Sequence, residues 1–439
     1  MFQRKLIAVL VVALVAMTAG VSQASLSRVE GMGLSVPLLS QFTDDYVNIY
    51  YYPTSVVRQN NLVLAELGNN PGGDVDPVSF NDQSLTLIKN FPRFGSIAYQ
   101  MKQSALNNQF SSNLNNEQID LIWGMGLSKV DVAVRLDVTN SSIEQDTSTG
   151  PTHNEARGAG FVPGDPYPFG ALFVANVIVL SGVEINTFGI TPAIALHMSN
   201  DNRIEGAVTI RSYSLDRNTS TGGVAGESWK DQGNMSYAIA ARAILHSGDR
   251  ATWYPAFWYS NDDLSYEVTN NPATVGPRSA DESYKNMGVG ISHNMRVNDN
   301  NLLIFGATVS QSKHTYERTD NNDAVANGDL RKEEDKLTLA PTFFASLETD
   351  LTRWLKGRLG ATKSMQSQNI ETTDFNTTPI TTEQKVKTSD FQFSLGTGIK
   401  FNNFDIDMTL NEAFPLSGGW ILSGDPATPF TRVSGTYHF

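Results

Sequence analysis

The chain contains no cysteine among its 439 residues. That removes disulfide frameworks, thiolate metal sites, iron–sulfur clusters and thiol catalysis together. Charge is also scarce: 18% of residues are Asp, Glu, Lys or Arg, against roughly 25% in soluble domains. Positive charge is the scarcer sign, with 32 Lys and Arg against 45 Asp and Glu and a formal net charge of −13. An acidic chain lacks the basic contacts to phosphate on which nucleic-acid affinity rests. Long apolar runs are missing too, since a spanning helix needs about 20 consecutive apolar residues and mean hydropathy is only −0.24. The chain is too weakly charged for a soluble protein and too polar for a bundle of membrane helices.

The one apolar stretch stands at the start. Residues 1–24 read as a secretory signal: Arg4 and Lys5 give a positive beginning, Leu6 to Met17 an unbroken apolar segment, and Ser22-Gln23-Ala24 a small-x-small cleavage site. The apolar segment is too short to favour anchoring over removal. The expected product is an exported, acidic chain.

After it, apolar and polar residues alternate with period two. In the clearest segment Val130, Val132, Val134, Leu136 and Val138 share one face, and Lys129, Asp131, Ala133, Arg135, Asp137 and Thr139 the other. Ile119, Leu121, Trp123, Met125 and Leu127 likewise oppose Gln118, Asp120, Gly124 and Gly126. Phe391, Phe393, Leu395, Ile399 and Phe401 oppose Asp390, Gln392, Ser394, Gly396, Gly398 and Lys400, and Phe404 to Leu410 repeats the pattern against Asp405 and Asp407. Such segments are strands with one apolar and one hydrated face.

Their connections alternate in length. Short ones fall at Ser128-Lys129, Asn200 to Asn202, Ser247 to Asp249, Asn298 to Asn300, Thr349 to Thr352 and Asn402-Asn403. Asn, Asp and Gly there tolerate the positive φ that tight hairpins need. Long polar connections fall near 144–171, 218–232, 267–283, 318–333, 371–384 and 415–427. Short turns on one side and long loops on the other are the layout of an outer-membrane barrel.

The expected fold is therefore all-β: a closed antiparallel transmembrane β-barrel over residues 59–439. Strand starts are expected near 61, 83, 95, 117, 129, 184, 203, 233, 250, 284, 301, 334, 354, 385, 404 and 428. That makes about sixteen strands, with fourteen the alternative because the first two are short and weakly patterned. Pro192, Pro255 and Pro341 fall inside strands, and each predicts a bulge, bend or local break because proline has no ladder donor. The outside would meet outer-membrane lipid, and the location would be the bacterial outer membrane.

Two resemblances add to this. The chain ends Thr431, Val433, Gly435, Tyr437 and Phe439 on one face, which resembles the terminal insertion signal of outer-membrane proteins. It implies the barrel assembly machinery as a partner, with Tyr437 and Phe439 as the signal. Near the mature N-terminus, Gly31-Met32-Gly33, Asp44-Asp45, Tyr50 and Pro53 resemble the opening of FadL-type outer-membrane transporters and their PorV-like relatives. The spacing from Gly33 to Asp44 is about three residues longer than in that family, Tyr52 replaces its Asn, and Thr54-Ser55 replace its Ala-Gly. The resemblance implies that residues 25–58 form a small plug inside the barrel, and that the chain transports hydrophobic molecules or assists secretion.

With the apolar stripe facing lipid, the lumen receives Lys129, Asp131, Arg135, Asp137, Glu205, Arg211, Arg242, Lys356, Arg358, Asp390, Lys400, Asp405 and Asp407. Lys400 and Asp405 would stand opposite each other across the Asn402-Asn403 turn. Two readings stay open: a polar route for small solutes, or charges that pair and fill a closed interior. The connection Gln145 to Leu180 carries an apolar patch, Phe169 to Val179, that suits a gate at the mouth, an extra strand or a buried cap. Trp420-Ile421-Leu422 invites the same alternatives.

Enzyme signatures are absent from the sequence. The six histidines show no His-x-x-x-His or His-Glu spacing, and there is no Gly-x-Ser-x-Gly elbow. A hydrolase assembled across strands would draw on His197, His293 and Ser292. Asp74 and Asp76 read as a solvated turn before a calcium loop, and Gly288-x-Gly290 and Gly396-x-Gly398 as sites of close packing. No metal, cofactor or nucleic-acid partner is expected. The function expected is passive passage of small solutes, hydrophobic ones among them, with a closed structural or secretion-accessory barrel as the rival and an outer-membrane enzyme third.

Overall fold

The computed structural model describes residues 25–34, 39–68, 82–105, 115–143, 183–198, 201–221, 224–269, 278–320, 329–374, 380–410 and 430–439. The expected signal segment, Asp74 and Asp76, the connection 145–180 and Trp420 to Leu422 lie outside them. Among the described residues eighteen strands form one sheet. They are β1 (Leu62–Gly68), β2 (Asp82–Phe91), β3 (Gly95–Ala105), β4 (Asn115–Gly126), β5 (Val130–Ile143) and β6 (Val183–His197). Then come β7 (Arg203–Thr221), β8 (Val224–Asp231), β9 (Met235–His246), β10 (Ala251–Asp263), β11 (Tyr266–Thr269) and β12 (Arg278–Asn298). The last six are β13 (Asn301–Asp320), β14 (Asp329–Asp350), β15 (Leu355–Asp374), β16 (Ile380–Phe401), β17 (Phe404–Leu410) and β18 (Phe430–His438).

Sixteen of these close into an antiparallel barrel. Closure is made by β1 against β18, in register from Leu62 opposite His438 to Gly68 opposite Arg432. The other two, β8 and β11, pair with each other and continue the wall above β9 and β10, because β8 also pairs with β7 and β11 with β12. The expected starts of β3, β7, β13 and β17, at 95, 203, 301 and 404, are met to the residue. The connections expected at 218–232, 267–283, 318–333 and 371–384 are shorter than read, since β7, β8 and β11 to β16 run into them.

The outer surface is apolar. Leu121, Val208, Ile239 and Phe257 are each between 42% and 45% exposed at mid-strand, while their neighbours Asp120, Thr209, Ala238 and Ala256 are buried inside. At the short-turn rim Phe91, Phe94, Phe401 and Trp354 are exposed, and Tyr437 and Phe439 stack at 6.3 Å, forming the aromatic girdle that marks a lipid–water boundary. In lipid an unpaired backbone group costs several kcal/mol, so a sheet spans only when closed. The architecture is that of a bacterial outer-membrane barrel.

The hairpin chemistry follows the sequence. Asn402 (φ 51) and Asp201 (φ 59) take the left-handed conformation in two of the short turns, and Asp299-Asn300 links Asn298 directly to its partner Asn301. The three prolines act as expected in different ways. At Pro341 the register shifts on both sides of β14. Pro192 and Pro255 sit where pairing lapses on one side only, without a change of register, because proline withholds one donor and the other neighbour is unaffected.

Wall height is uneven. The strands β12 to β16 have 20 to 22 residues, whereas β1 and β17 have 7 and β18 has 9. The long strands project past the lipid on the long-loop side, where β16 is exposed on both faces from Ile380 to Lys385.

Replacing the outward Val208 by Arg should destabilise the folded barrel by about 2–4 kcal/mol, the cost of a cation on the lipid face near the bilayer midplane. Urea titration of folding into lipid vesicles checks this. A cost near zero would place Val208 away from lipid.

Candidate functional site

The lumen is occupied by the chain's own N-terminal segment. It begins with α1 (Leu26–Gly31), capped by Ser25, whose Oγ accepts a hydrogen bond from the Arg28 amide at 3.2 Å. Three 3-10 turns follow, Leu39–Phe42, Tyr46–Tyr50 and Pro53–Arg58. Pro53 opens the last of them, where its fixed φ suits the turn and its missing N–H costs nothing. Leu26, Val29, Met32, Phe42, Ile49 and Val56 are all at most 3% exposed. They pack against inward residues of the wall, among them Leu62, Leu64, Ile88, Ile122, Ile304 and Phe344. The segment sits in the short-turn half of the barrel and meets strands on every side of it.

Irregular backbone in such a place needs donors for the carbonyls that the segment does not pair itself. The wall supplies them. Ser346 donates to Met32 O at 2.5 Å, Thr362 to Gly33 O at 3.0 Å and Thr409 to Ser27 O at 2.9 Å. On the other side Asn294 donates to Phe42 O at 2.8 Å, Arg135 to Tyr50 O at 2.9 Å, and Arg242 to Gln41 O and Thr43 O at 2.7 and 3.0 Å. Lumen side chains therefore act as a socket for one backbone path.

The motif residues hold that path in place. A Cβ on Gly31 would lie 2.8 Å from Gly396 Cα, and one on Gly360 would lie 2.2 Å from Met32 C. Gly33 has φ +69 and lies against Gly360. The Gly-Met-Gly stretch thus lies backbone to backbone on glycines of β15 and β16, and the expected close packing at Gly396 is this contact. Asp45 accepts from Arg28 at 2.5 Å and from Thr43 at 2.7 Å. Arg28 reaches on to Glu348 of β14 at 2.6 Å, so Asp45 fixes the cation that ties the plug to the wall. Asp44 takes both Nη groups of Arg58, at 2.7 and 2.9 Å. Tyr50 is buried with its hydroxyl 3.2 Å from Thr86.

Of the lumen residues expected from the sequence, Asp131, Arg135, Asp137, Glu205, Arg211, Arg242, Asp405 and Asp407 are inward and buried. Each has an opposite charge or histidine beside it. Arg135 lies 2.7 Å from Asp120, Arg211 2.8 Å from Asp137, and Arg358 2.7 Å from Asp407. Arg242 pairs with Glu205, His197 lies 2.8 Å from Asp131, and His438 lies 3.3 Å from Asp405. Lys400 stands opposite Asp405 in the ladder, as expected.

One placement needs correcting. Lys129 lies in the β4–β5 turn, exposed, and lines no lumen, because the strand ends before its alternation does. Asp390 keeps the inward parity of Gly396 and is exposed, level with Ser364 of β15 and Thr342 of β14. Glu348 and Glu66 were not anticipated. Glu66 accepts from the Leu26 amide at 2.7 Å and Ser84 at 3.1 Å. The period-two parity of Leu67 and Leu347, both outward, is the signal that points these two inward.

The residues that a hydrolase would need are not brought together. Ser292 is inward and buried, whereas its neighbour His293 is on the outer face, 4.2 Å from Trp253 and 5.2 Å from Phe305 between ring centroids. His197 belongs to β6 and is engaged with Asp131. Among the described residues no group of three or more His, Asp or Glu is arranged to hold a metal ion.

No family model matches the sequence, and no curated protein matches it. Solved structures similar in architecture include the toluene transporter TodX of Pseudomonas putida, at 9% identity and TM-score 0.39 over 96% of this chain and 97% of that one. The toluene transporter TbuX of Ralstonia pickettii is similar at 10% identity and TM-score 0.36, over 94% and 98%. So is the ferric-catecholate import receptor Fiu of E. coli K12, at 9% identity and TM-score 0.36, over 87% and 82%. At these values the likeness assigns neither solute nor mechanism.

Two substitutions test the socket. Gly360→Val places a side chain into the Met32 backbone and should unseat the plug while the barrel stays folded. Limited proteolysis should then cut residues 25–58 at least tenfold faster, with the far-UV β spectrum unchanged. Arg242→Ala leaves Glu205 buried without its principal partner and should cost about 3–5 kcal/mol, measured by denaturant titration.

Proposed function

We propose that this protein is an outer-membrane transporter in which small solutes, hydrophobic ones among them, pass without energy coupling and only when the plug opens a path. The observation that carries the reading is the seat of residues 25–34 and 39–58. The segment fills the short-turn half of the lumen, with apolar contacts and hydrogen bonds to the wall around it. A barrel of 14 or more strands is too wide for wall side chains alone to fill, and a plug is how this one is blocked.

Above the plug the lumen has two characters. On β12 to β14 it presents Tyr284, His314, Leu337 and Leu339, whose inward parity follows from the ladder, while Trp258 of β10 packs against Tyr51 and Tyr52 of the plug. Tyr284 and His314 stack at 4.2 Å. On β4 and β5 the inward residues include Gln118, Asp120, Asp137 and Thr139, all of them buried. The aromatic and leucine side chains of β12 to β14 suit small amphipathic or hydrophobic solutes better than hydrated ions. The resemblance of residues 31–53 to FadL-type openings supports the same reading.

The rival, a closed structural barrel, draws support from the same buried pairs, because Arg28 and Arg432 tie the plug to β14, Glu348, and β18. Conductance and uptake separate the two. In a planar bilayer the intact protein should carry no steady current, and a variant lacking residues 25–58 should open a steady pore of porin-like size. Proteoliposomes of the intact protein should nevertheless take up a small aromatic solute faster than protein-free vesicles. A steady current from the intact protein would overturn the plugged reading. Absence of uptake for every solute class would favour the structural barrel.

A further inference from the structure

Between the plug and β7, three guanidiniums, Arg58, Arg203 and Arg242, act electrostatically on two carboxylates, Asp44 and Glu205. The cluster carries one more positive charge than negative. Arg242 is fully engaged, with Glu205 and with the carbonyls of Gln41 and Thr43. Arg58 gives both Nη groups to Asp44. Arg203 is different. Its Nη2 donates to Glu205 at 2.9 Å, but its Nε and Nη1 have no hydrogen-bond partner among the described residues, and neither does Arg58 Nε.

Arg203 is only 3% exposed, so bulk solvent does not meet these donors. Leaving charged donors unpaired inside a protein costs more than leaving neutral ones. Arg203 is the first residue of β7, just after the short turn, and shares the inward parity of Glu205. The Arg58–Asp44 pair beside it is partly exposed, at 29% and 42%, so the cluster reaches the short-turn mouth, which faces the periplasm in such barrels. A water molecule would supply acceptors but leave the excess charge. An oxyanion supplies both acceptors and the missing negative charge, and guanidinium is the side chain best suited to carboxylate and phosphate.

We propose that the seam between the plug and β7 is a periplasm-facing binding site for an oxyanion of carboxylate or phosphate type, held by Arg203 and Arg58. Neutralising the cluster tightens the seat of the plug on this side of the barrel. The site therefore couples an anion in the periplasm to closure of the lumen. It does not depend on which solute the barrel passes.

The test uses the full-length protein in detergent at fixed ionic strength in chloride buffer, titrated calorimetrically with inorganic phosphate in one arm and acetate in the other. Saturable binding near one anion per chain is expected in at least one arm, and the arm that binds identifies the group. Arg203→Gln should weaken it at least tenfold. Arg58→Gln, at the more exposed position, should weaken it as well and serves as the test if Arg203→Gln does not fold. Arg250→Gln, in an exposed turn pair with Asp299, should bind as the parent does. Heat-modifiable gel mobility reports the folded barrel in each variant. Absence of saturable binding to the parent in both arms would assign the seam to solvent and overturn the proposal. So would parent-like affinity in a folded Arg203→Gln, or in Arg58→Gln where Arg203→Gln does not fold.

Discussion

Backbone hydrogen bonding is the constraint from which the rest of this structure follows. Within lipid a strand must pair on both sides, so the sheet closes on itself and β1 meets β18. Closing sixteen strands leaves a lumen that inward side chains do not fill. Here it is filled by a segment of mostly irregular chain, and the same constraint then returns in a second form. The carbonyls of Ser27, Met32, Gly33, Phe42 and Tyr50 face the wall, and hydroxyl, amide and guanidinium groups of the strands donate to them. The polar face of the barrel is therefore explained by the plug as much as by water.

The buried charges take their meaning from this arrangement. Burying an ion pair is weak evidence of stability, because desolvation offsets much of the attraction. Their positions are more informative. Arg28 joins Asp45 in the plug to Glu348 in the wall, and Glu348 in turn holds Arg358, which holds Asp407. Ser25 closes this circuit by donating to Asp407 at 2.8 Å. Such a chain admits one seat for α1 and rejects a plug rotated by a strand, since a shifted plug would leave charges of one sign facing each other. Low overall charge and a highly organised charged interior are compatible because the outer face needs none.

Much of the fold was legible in the sequence, and what was not has a physical reason. Period-two alternation exists only where one face meets lipid and the other does not. Within that band, as from Val130 to Val138, it identifies strand, phase and face. Past the band both faces are wet, and the ladder continues through segments such as Lys332 to Lys336 and Thr381 to Lys387 with no alternation to read. That is why β12, β14 and β16 start earlier than their apolar pattern, and why β8 and β11 had no signature. The opposite failure occurs in β1. Leu62-Val63-Leu64-Ala65 is apolar throughout because one face meets lipid and the other the plug, and it reads as a weak strand. Gly31 and Gly33 were visible as a motif, but their reason, contact with Gly396 and Gly360, is long-range and belongs to the closed barrel.

The central claim is that residues 25–34 and 39–58 sit inside the barrel in one defined seat. The absence of cysteine makes that directly measurable. Ser27 Oγ in α1 and Ser434 Oγ in β18 are 2.5 Å apart, although 407 residues separate them in sequence. A protein carrying Ser27→Cys and Ser434→Cys should form an internal disulfide almost quantitatively in the native membrane under mild oxidation. The pair Ser27→Cys and Ser292→Cys, whose wall position contacts Phe42 rather than α1, should not. A folded barrel in which the first pair fails to crosslink, or in which both crosslink equally, would contradict the single seat on which this account rests.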